Sequence, residues 1–246
     1  MSLRNLESAG FDIRAQNHVE AVLIEDFPEP FRELCDVLSA FRIEDVELIR
    51  SGGGEASFTQ RLRRALTERG WHKRNIEIQK VVDGEPRAGI THEIDHVRKT
   101  EKGSIALEIE WNNKDPFFDR DLENFQRLHA EGAISVGIVV TRGKSFQDHM
   151  VQIIRECAAN NGVSSFDDLA VFGVNPTIRQ KQIVERSGED FLISWARQFV
   201  GDKFGTATTH WDKLENRIDR GVGNPCPLLL IGIPVSIIVR STGNQK

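Results

Sequence analysis

The sequence predicts an α/β protein with a central mixed β-sheet flanked by helices. Three observations point there. Ser104 to Trp111 alternates apolar and polar residues, with Ile105, Leu107, Ile109 and Trp111 on one face of a strand and Ala106, Glu108 and Glu110 on the other. Ile134 to Thr141 and Leu228 to Ile233 are short apolar runs of the kind a sheet buries on both faces. Between and ahead of them, apolar residues recur at helical spacing, so strands and helices interleave.

The chain has 246 residues, of which 39% are hydrophobic and 28% charged, enough to bury a full core and read as one domain over 1–246. A net charge of −5 excludes a protein coated in basic residues, though a local basic cleft remains compatible with it. Cys35, Cys157 and Cys226 are too scattered for a disulfide framework or a zinc ribbon, and a reducing cytoplasm is expected. No signal peptide and no membrane association are expected. The longest apolar stretch, Pro225 to Val239, is interrupted by Gly232 and Pro234.

Residues 1–25 show no firm period. Phe31, Leu34, Leu38 and Phe41 form one helix face after Pro28 and Pro30. The loop Ser51 to Gly54 lacks the Lys-Ser/Thr ending of a phosphate-binding loop, so no nucleotide site is expected there. A helix from about Ser57 to Arg69 opens with the capping-box pattern Ser57–Gln60 and buries Phe58, Leu62, Ala65 and Leu66. Thr91 to Arg98 and Ser104 to Trp111 are extended halves of a hairpin spanning 91–111, folded at Lys99–Gly103. A turn at Asn112–Pro116 leads to a helix from about Phe117 to Ala130 with Phe118, Leu122 and Phe125 inward. The strand Ile134–Thr141 follows, then a helix marked by Met150, Ile153, Ile154 and Cys157. Leu169 to Val174 reads as a short strand, and Ile183 to Phe199 as helical. Two strands around Pro234, Leu228–Ile233 and Val235–Val239, close the sheet.

The hairpin carries the chemistry. Glu108 and Glu110 point the same way about 7 Å apart. Asp95 lies opposite them, with Glu93 and Val97 on its own face. Acids on a strand face are ordinarily solvated. Here Ile109, Trp111 and the apolar strand that follows mark the strand as buried, and crowded buried acids call for a cation. Hard oxygen ligands suit Mg²⁺. The same residues contain a rival, because His92-Glu93-Ile94-Asp95-His96 matches the H-E-x-x-H pattern of zinc peptidases. That pattern needs a helix, whereas β-branched Thr91, Ile94 and Val97 favour a strand that turns His92 and His96, with Ile94, away from the acids.

Two segments are candidates for holding a polyanion. Arg61, Arg63, Arg64, Arg69, His72, Lys73, Arg74 and Lys80 face only Glu68 and Glu77, and read either as a solvated face or as a phosphate-contacting patch. Within that run, Arg61, Arg64, Lys73 and Arg74 are the candidate DNA contacts. The polar segment 203–223 offers Thr208, Thr209, His210, Arg217 and Arg220, either to base edges and phosphates or as a surface loop whose Thr209 caps a helix. Glu55 is a further candidate acid near the metal.

Asp95, twelve residues, then Glu108-x-Glu110 resembles the active-site hairpin of the PD-(D/E)xK nucleases. The order of Ile94-Asp95, Glu108-Ile109-Glu110-Trp111, Asn113, Pro116-Phe117, Phe125, Val136–Gly143 and Pro227–Ile233 is similar to the BglII/BstYI-like type II restriction endonucleases. Short pieces such as Gly70-Trp71-His72 extend the likeness. The resemblance implies a restriction-endonuclease-like fold and a Mg²⁺-dependent, site-specific deoxyribonuclease of a restriction–modification system. It implies a homodimer that cuts both strands of a palindromic double-stranded DNA site to leave 5′-phosphates, alongside a separate cognate methyltransferase. It makes a GATC core the first expectation for the site. Asp95, Glu108 and the Ile109 carbonyl would hold the metal. The last catalytic position, lysine in most of the superfamily and glutamine in this group, is Glu110 here, which can take a proton or meet the metal directly. A catalytically inert DNA-binding protein is the remaining alternative.

Overall fold

Strands and helices interleave along the chain and converge on one six-stranded sheet. The computed structural model describes residues 3–50, 55–79, 81–86 and 89–241; the Ser51–Gly54 loop and Lys80 fall outside them. The first stretch runs α1 (Leu3–Ser8), β1 (Asp12–Gln16), α2 (Val19–Glu25), α3 (Pro28–Ala40), β2 (Ile43–Glu44), α4 (Asp45–Ile49) and α5 (Ser57–Thr67). Next come β3 (His72–Ile78), the small pair β4 (Val81–Val82) and β5 (Glu85–Pro86), and the hairpin β6 (Ile90–Thr100) with β7 (Gly103–Glu110). The chain continues through α6 (Phe117–Ala130), β8 (Val136–Arg142), α7 (Lys144–Asn160), α8 (Ile178–Arg186), α9 (Phe191–Lys203), α10 (Trp211–Asp219), β9 (Leu228–Ile233) and β10 (Ile238–Val239).

The sheet order is β1-β9-β8-β7-β6-β3. Its middle is parallel, β9 to β8 to β7, and both flanks are antiparallel. This is the mixed α/β sheet that the sequence predicts. Each face buries its own core. Ile105, Leu107 and Ile109 of β7 join Val136, Ile138, Val140, Leu229, Ile231 and Ile233 in one cluster that includes α3, α5, α7 and α9. Ala106, Val139, Leu228 and Leu230 join Phe118, Leu122, Phe125 and Leu128 of α6 and Trp211 and Leu214 of α10 in the other. Each such large side chain, removed from water, stabilises the fold by roughly 1.5–3 kcal/mol. Gly137 sets how closely α6 approaches the sheet, because a Cβ there would stand 2.5 Å from the Phe125 ring. That approach matters for the site, since α6 covers the face on which Glu108 and Glu110 lie.

Several sequence expectations change. β1 is a sheet strand within residues 1–25, where no period shows. Leu169–Val174 is not a strand: a 3₁₀ turn spans Asp167–Phe172, tied by Asp168 Oδ2, which accepts from the Ser164 and Ser165 amides at 2.9 and 2.8 Å. Val235–Ile237 is a 3₁₀ turn, and β10 pairs with β2 rather than the main sheet, because Pro234 cannot continue a ladder. The helical spacing of 183–199 is split at Gly188 (φ 68°), and Asp190 caps α9 through the Leu192 and Ile193 amides. The capping box at Ser57 does not form. Ala56 is the N-cap, while Ser57 donates to Glu47 at 2.5 Å and Gln60 donates to the Glu55 carbonyl at 2.9 Å.

Candidate active site

β6 and β7 form the antiparallel hairpin, paired from Thr100–Gly103 to His96–Leu107. Its turn closes at Gly103, whose φ of 148° favours glycine. Beyond His96 the alternation of β6 breaks. β3 pairs His72 with Val97 and Arg74 with Ile94, two steps on one strand against three on the other, so β6 bulges. Ile94 and Val97 consequently sit in the same core under α6. His96 lies opposite Leu107, on the other face, so the shared face expected for His96 and Ile94 does not exist.

Asp95 sits at this bulge, next after the last ladder pair. Its backbone amide opposes the rise of the Glu108 carboxyl pKa. Its own Oδ2 is 3.2 Å from Arg63 Nη2, and Arg63 Nη1 is 3.2 Å from Glu55 Oε2. Asp95, Arg63 and Glu55 line a cavity of about 690 Å³ with Ser57, Ile109 and Asn113. Glu55, the further candidate acid, is thus brought beside Asp95.

Glu108 and Glu110 are buried, 5% and 3% exposed, on the α6 side of β7. Asp121 of α6, 2% exposed, faces them. Burial pushes the Glu108 carboxyl up to about 10, and Asp121, Asp95 and Glu110 add to the rise. Burial and the neighbouring Asp121 likewise raise Glu110, against the opposing pull of Asn113 and Arg120. Glu110 accepts from Asn113 Nδ2 at 2.7 Å, and its backbone carbonyl accepts from Thr141 Oγ1 at 2.7 Å. Arg120 binds Asp121 Oδ1 at 2.8 Å and lies 3.6 Å from Glu110 Oε1. Asp121 is the site residue that sequence reasoning missed. The signal was present, because Phe118, Asp121, Leu122 and Phe125 fall on one helical stripe, and an acid in an apolar stripe needs a reason.

Asp95, Glu108, Glu110 and Asp121 form a neighbourhood that Arg63 and Arg120 only partly neutralise. This donor set is all hard oxygen, and Glu108 and Glu110 are raised toward their neutral forms by burial and for want of a balancing cation, which fits a divalent cation such as Mg²⁺. Among the described residues, no three acid, histidine or cysteine side chains converge as closely as metal ligands do. Asp95 is turned to Arg63 instead.

The zinc-peptidase pattern lies on strand β6, not on a helix, so its two histidines are not set one turn apart on a single helix face. Burial holds the His96 imidazole neutral, pulling it down to about 4.

The candidate DNA contacts divide into two groups. Arg64, Lys73, Arg74 and Arg220 are exposed. Arg61 is also exposed but forks onto Glu47 at 2.5 and 2.7 Å, and Lys73 pairs with Glu93 at 2.5 Å. The 203–223 segment is not a loose loop. Thr209 is fully buried and exchanges hydrogen bonds with Asn113, while Thr208 accepts from Arg142. His210, the N-cap of α10, is buried, as is Arg217, which lies 3.3 Å from Asp115 and 3.2 Å from Asp119. Thr209 therefore caps no helix through its side chain.

No described helix is long and apolar enough to cross a membrane. No individually curated protein matches the chain. The family model described as restriction endonuclease BglII/BglIII matches residues 11–233, a span that holds the whole six-stranded sheet and every acid of the site. The chain belongs to that restriction endonuclease family, and is accordingly an enzyme that hydrolyses phosphodiester bonds of DNA.

Proposed function

We propose that the chain is a Mg²⁺-dependent type II endonuclease that cuts duplex DNA at a short palindrome. The observation that carries this reading is the pair of buried acids on one face of β7, set beside Asp95 and Asp121 with too few cations to balance them. Asp95, Glu108 and the Ile109 carbonyl would hold the metal. When bound, the metal polarises a phosphoryl oxygen and lowers the pKa of water. Glu110, raised toward neutrality by burial and Asp121, orients or deprotonates the attacking water, with Asn113 fixing its carboxyl. Arg63 pairs with both Asp95 and Glu55 and so fixes the two carboxylates beside each other in the cavity they line.

Arg64, Lys73, Arg74 and Arg220 are exposed and would meet the phosphate backbone. Two copies related by a two-fold axis would place two such sites on the two strands of a palindrome. The enzyme would work in the cytoplasm beside a methyltransferase that protects the same site.

Asp95→Asn tests the assignment. Cleavage in Mg²⁺ is expected to fall by about a thousandfold, the loss of roughly 4 kcal/mol of transition-state stabilisation. DNA affinity in Ca²⁺ should stay within about tenfold, because it rests on phosphate contacts. A variant that cuts at near wild-type rate would remove Asp95 from the site.

A further inference from the structure

The end of β8 holds two residues whose side chains reach toward the site from outside it. Thr141 fixes the backbone of Glu110, its hydroxyl donating to the Glu110 carbonyl at 2.7 Å. The next residue, Arg142, points to the other face and is fully buried, with no carboxylate in ion-pair range among the described residues. A cation in such a place is costly unless its hydrogen bonds are well used. Arg142 Nη2 donates to Thr208 Oγ1 at 2.7 Å and to the Thr209 carbonyl at 2.8 Å, its Nε donates to that carbonyl at 3.2 Å, and its guanidinium lies over the Phe204 ring.

What Arg142 grips is the strand-like piece that runs beside Asn113. Thr208 bridges Lys114 in antiparallel fashion, and the Asp115 amide donates to the Ala207 carbonyl at 3.1 Å. Thr209 closes the contact in both directions. Its amide donates to the Asn113 carbonyl at 2.9 Å, and its hydroxyl accepts from the Asn113 amide at 3.2 Å. Asn113 in turn donates its side-chain amide to Glu110 Oε2. The path from buried cation to site acid is therefore continuous: Arg142, Thr209, Asn113, Glu110.

We infer that Thr209 is a positioning residue for Glu110, held by Arg142 and acting through the backbone of Asn113. The inference rests on the reading of Glu110 as the acid that handles the attacking water. It assigns the 206–210 segment to orientation of the catalytic carboxyl rather than to base reading. Without the Thr209 hydroxyl the Asn113 amide loses its acceptor, and the side chain that orients Glu110 loses its fixed base. A displacement of about 1 Å at a reacting group can cost roughly a hundredfold in rate.

The experiment compares Thr209→Val, Thr209→Ser, Asn113→Ala and the double variant Thr209→Val/Asn113→Ala. Single-turnover cleavage of duplex DNA in Mg²⁺ and DNA affinity without Mg²⁺ are measured for each. Thr209→Val should cut about ten- to a hundredfold more slowly with affinity within about twofold, and Thr209→Ser, which restores the hydroxyl, should return most of the rate. Because both residues act through one bond to Glu110, Thr209→Val should add less than about twofold on the Asn113→Ala background. A full additional loss on that background, or a wild-type rate in Thr209→Val, overturns the inference. If Thr209→Val does not fold, exposed Asn113 still decides, since full cleavage by Asn113→Ala overturns it as well. A wild-type protein that cuts no duplex DNA in Mg²⁺ would defeat the parent reading, an outcome distinct from an active enzyme indifferent to Thr209.

Discussion

Arg217 and Glu108 are both buried ionisable groups, and their surroundings are opposite. Arg217 of α10 sits between Asp115 and Asp119 and also donates to the Lys213 carbonyl at 3.1 Å. Glu108 sits among Asp95, Glu110 and Asp121, whose acids raise it further, with only the Asp95 backbone opposing them. The first arrangement balances its charge inside the chain and ties α10 to the start of α6. The second has too few cations to balance its acids, so burial and mutual repulsion raise Glu108 and Glu110 toward their neutral forms. Folding alone gives no reason to bury acids together, and under the metal-dependent reading proposed above the unbalanced cluster would receive the cation, while the balanced one serves the fold.

Breaking the balanced side should cost stability. Arg217→Ala removes the buried cation that the two carboxylates share, leaving Asp115 only Lys213 at 3.5 Å and Asp119 only Arg220 at 3.4 Å. It should destabilise by about 1–3 kcal/mol, less than a fully buried pair would lose because water screens both acids. The thermal midpoint should drop by several degrees, while cognate DNA affinity per folded molecule stays within about twofold. A loss of cognate affinity with no change in midpoint would make Arg217 a DNA contact and erase the contrast.

His210 sharpens the same comparison through pH. Burial, with Arg142 nearby, pulls the imidazole down to about 4, so the fold holds it neutral. Its contribution is fully present above the unfolded value near 6.5 and is lost as pH falls toward about 4. His210→Asn cannot take up that proton and keeps a good N-cap residue. Between pH 7 and pH 4.5 the variant should lose less stability than the wild type in chemical denaturation. Equal losses would mean that the ring already reaches water.

The smallest effect is expected at His92. It is half-buried on β6 and outside the acid cluster, so His92→Ala should leave cleavage within about twofold. Stoichiometric zinc in the wild-type protein, lost in this variant, would revive the peptidase pattern.

These contrasts were unevenly legible in the sequence. The hairpin was visible because strand period and turn are local: Ser104 to Trp111 alternates, and Gly103 supplies the backbone freedom its turn needs. The family resemblance followed from Asp95, Glu108 and Glu110, and the family match bears it out. β1 was not visible, because Asp12–Gln16 is a short edge strand held by pairing to β9 rather than by its own pattern. The bulge that turns Asp95 toward Arg63 was invisible for a similar reason, since it arises from register between β6 and β3. The 203–223 segment looked like a loop with free hydroxyls. Its partners, Asn113 and Arg142, lie 96 and 67 residues away from Thr209 and could not be paired from one sequence.

The central claim, that Glu108 and its neighbours are crowded in order to receive a cation, is tested most directly by melting the protein without DNA. At pH 8 the thermal midpoint of the wild type should rise with added Mg²⁺ and saturate, as mass action requires of a ligand that binds only the folded state. Glu108→Gln removes one buried acid. It should therefore melt higher than the wild type in the absence of metal and respond little to Mg²⁺. A wild-type midpoint indifferent to Mg²⁺, or a Glu108→Gln variant that shifts as much as the wild type, would contradict the account.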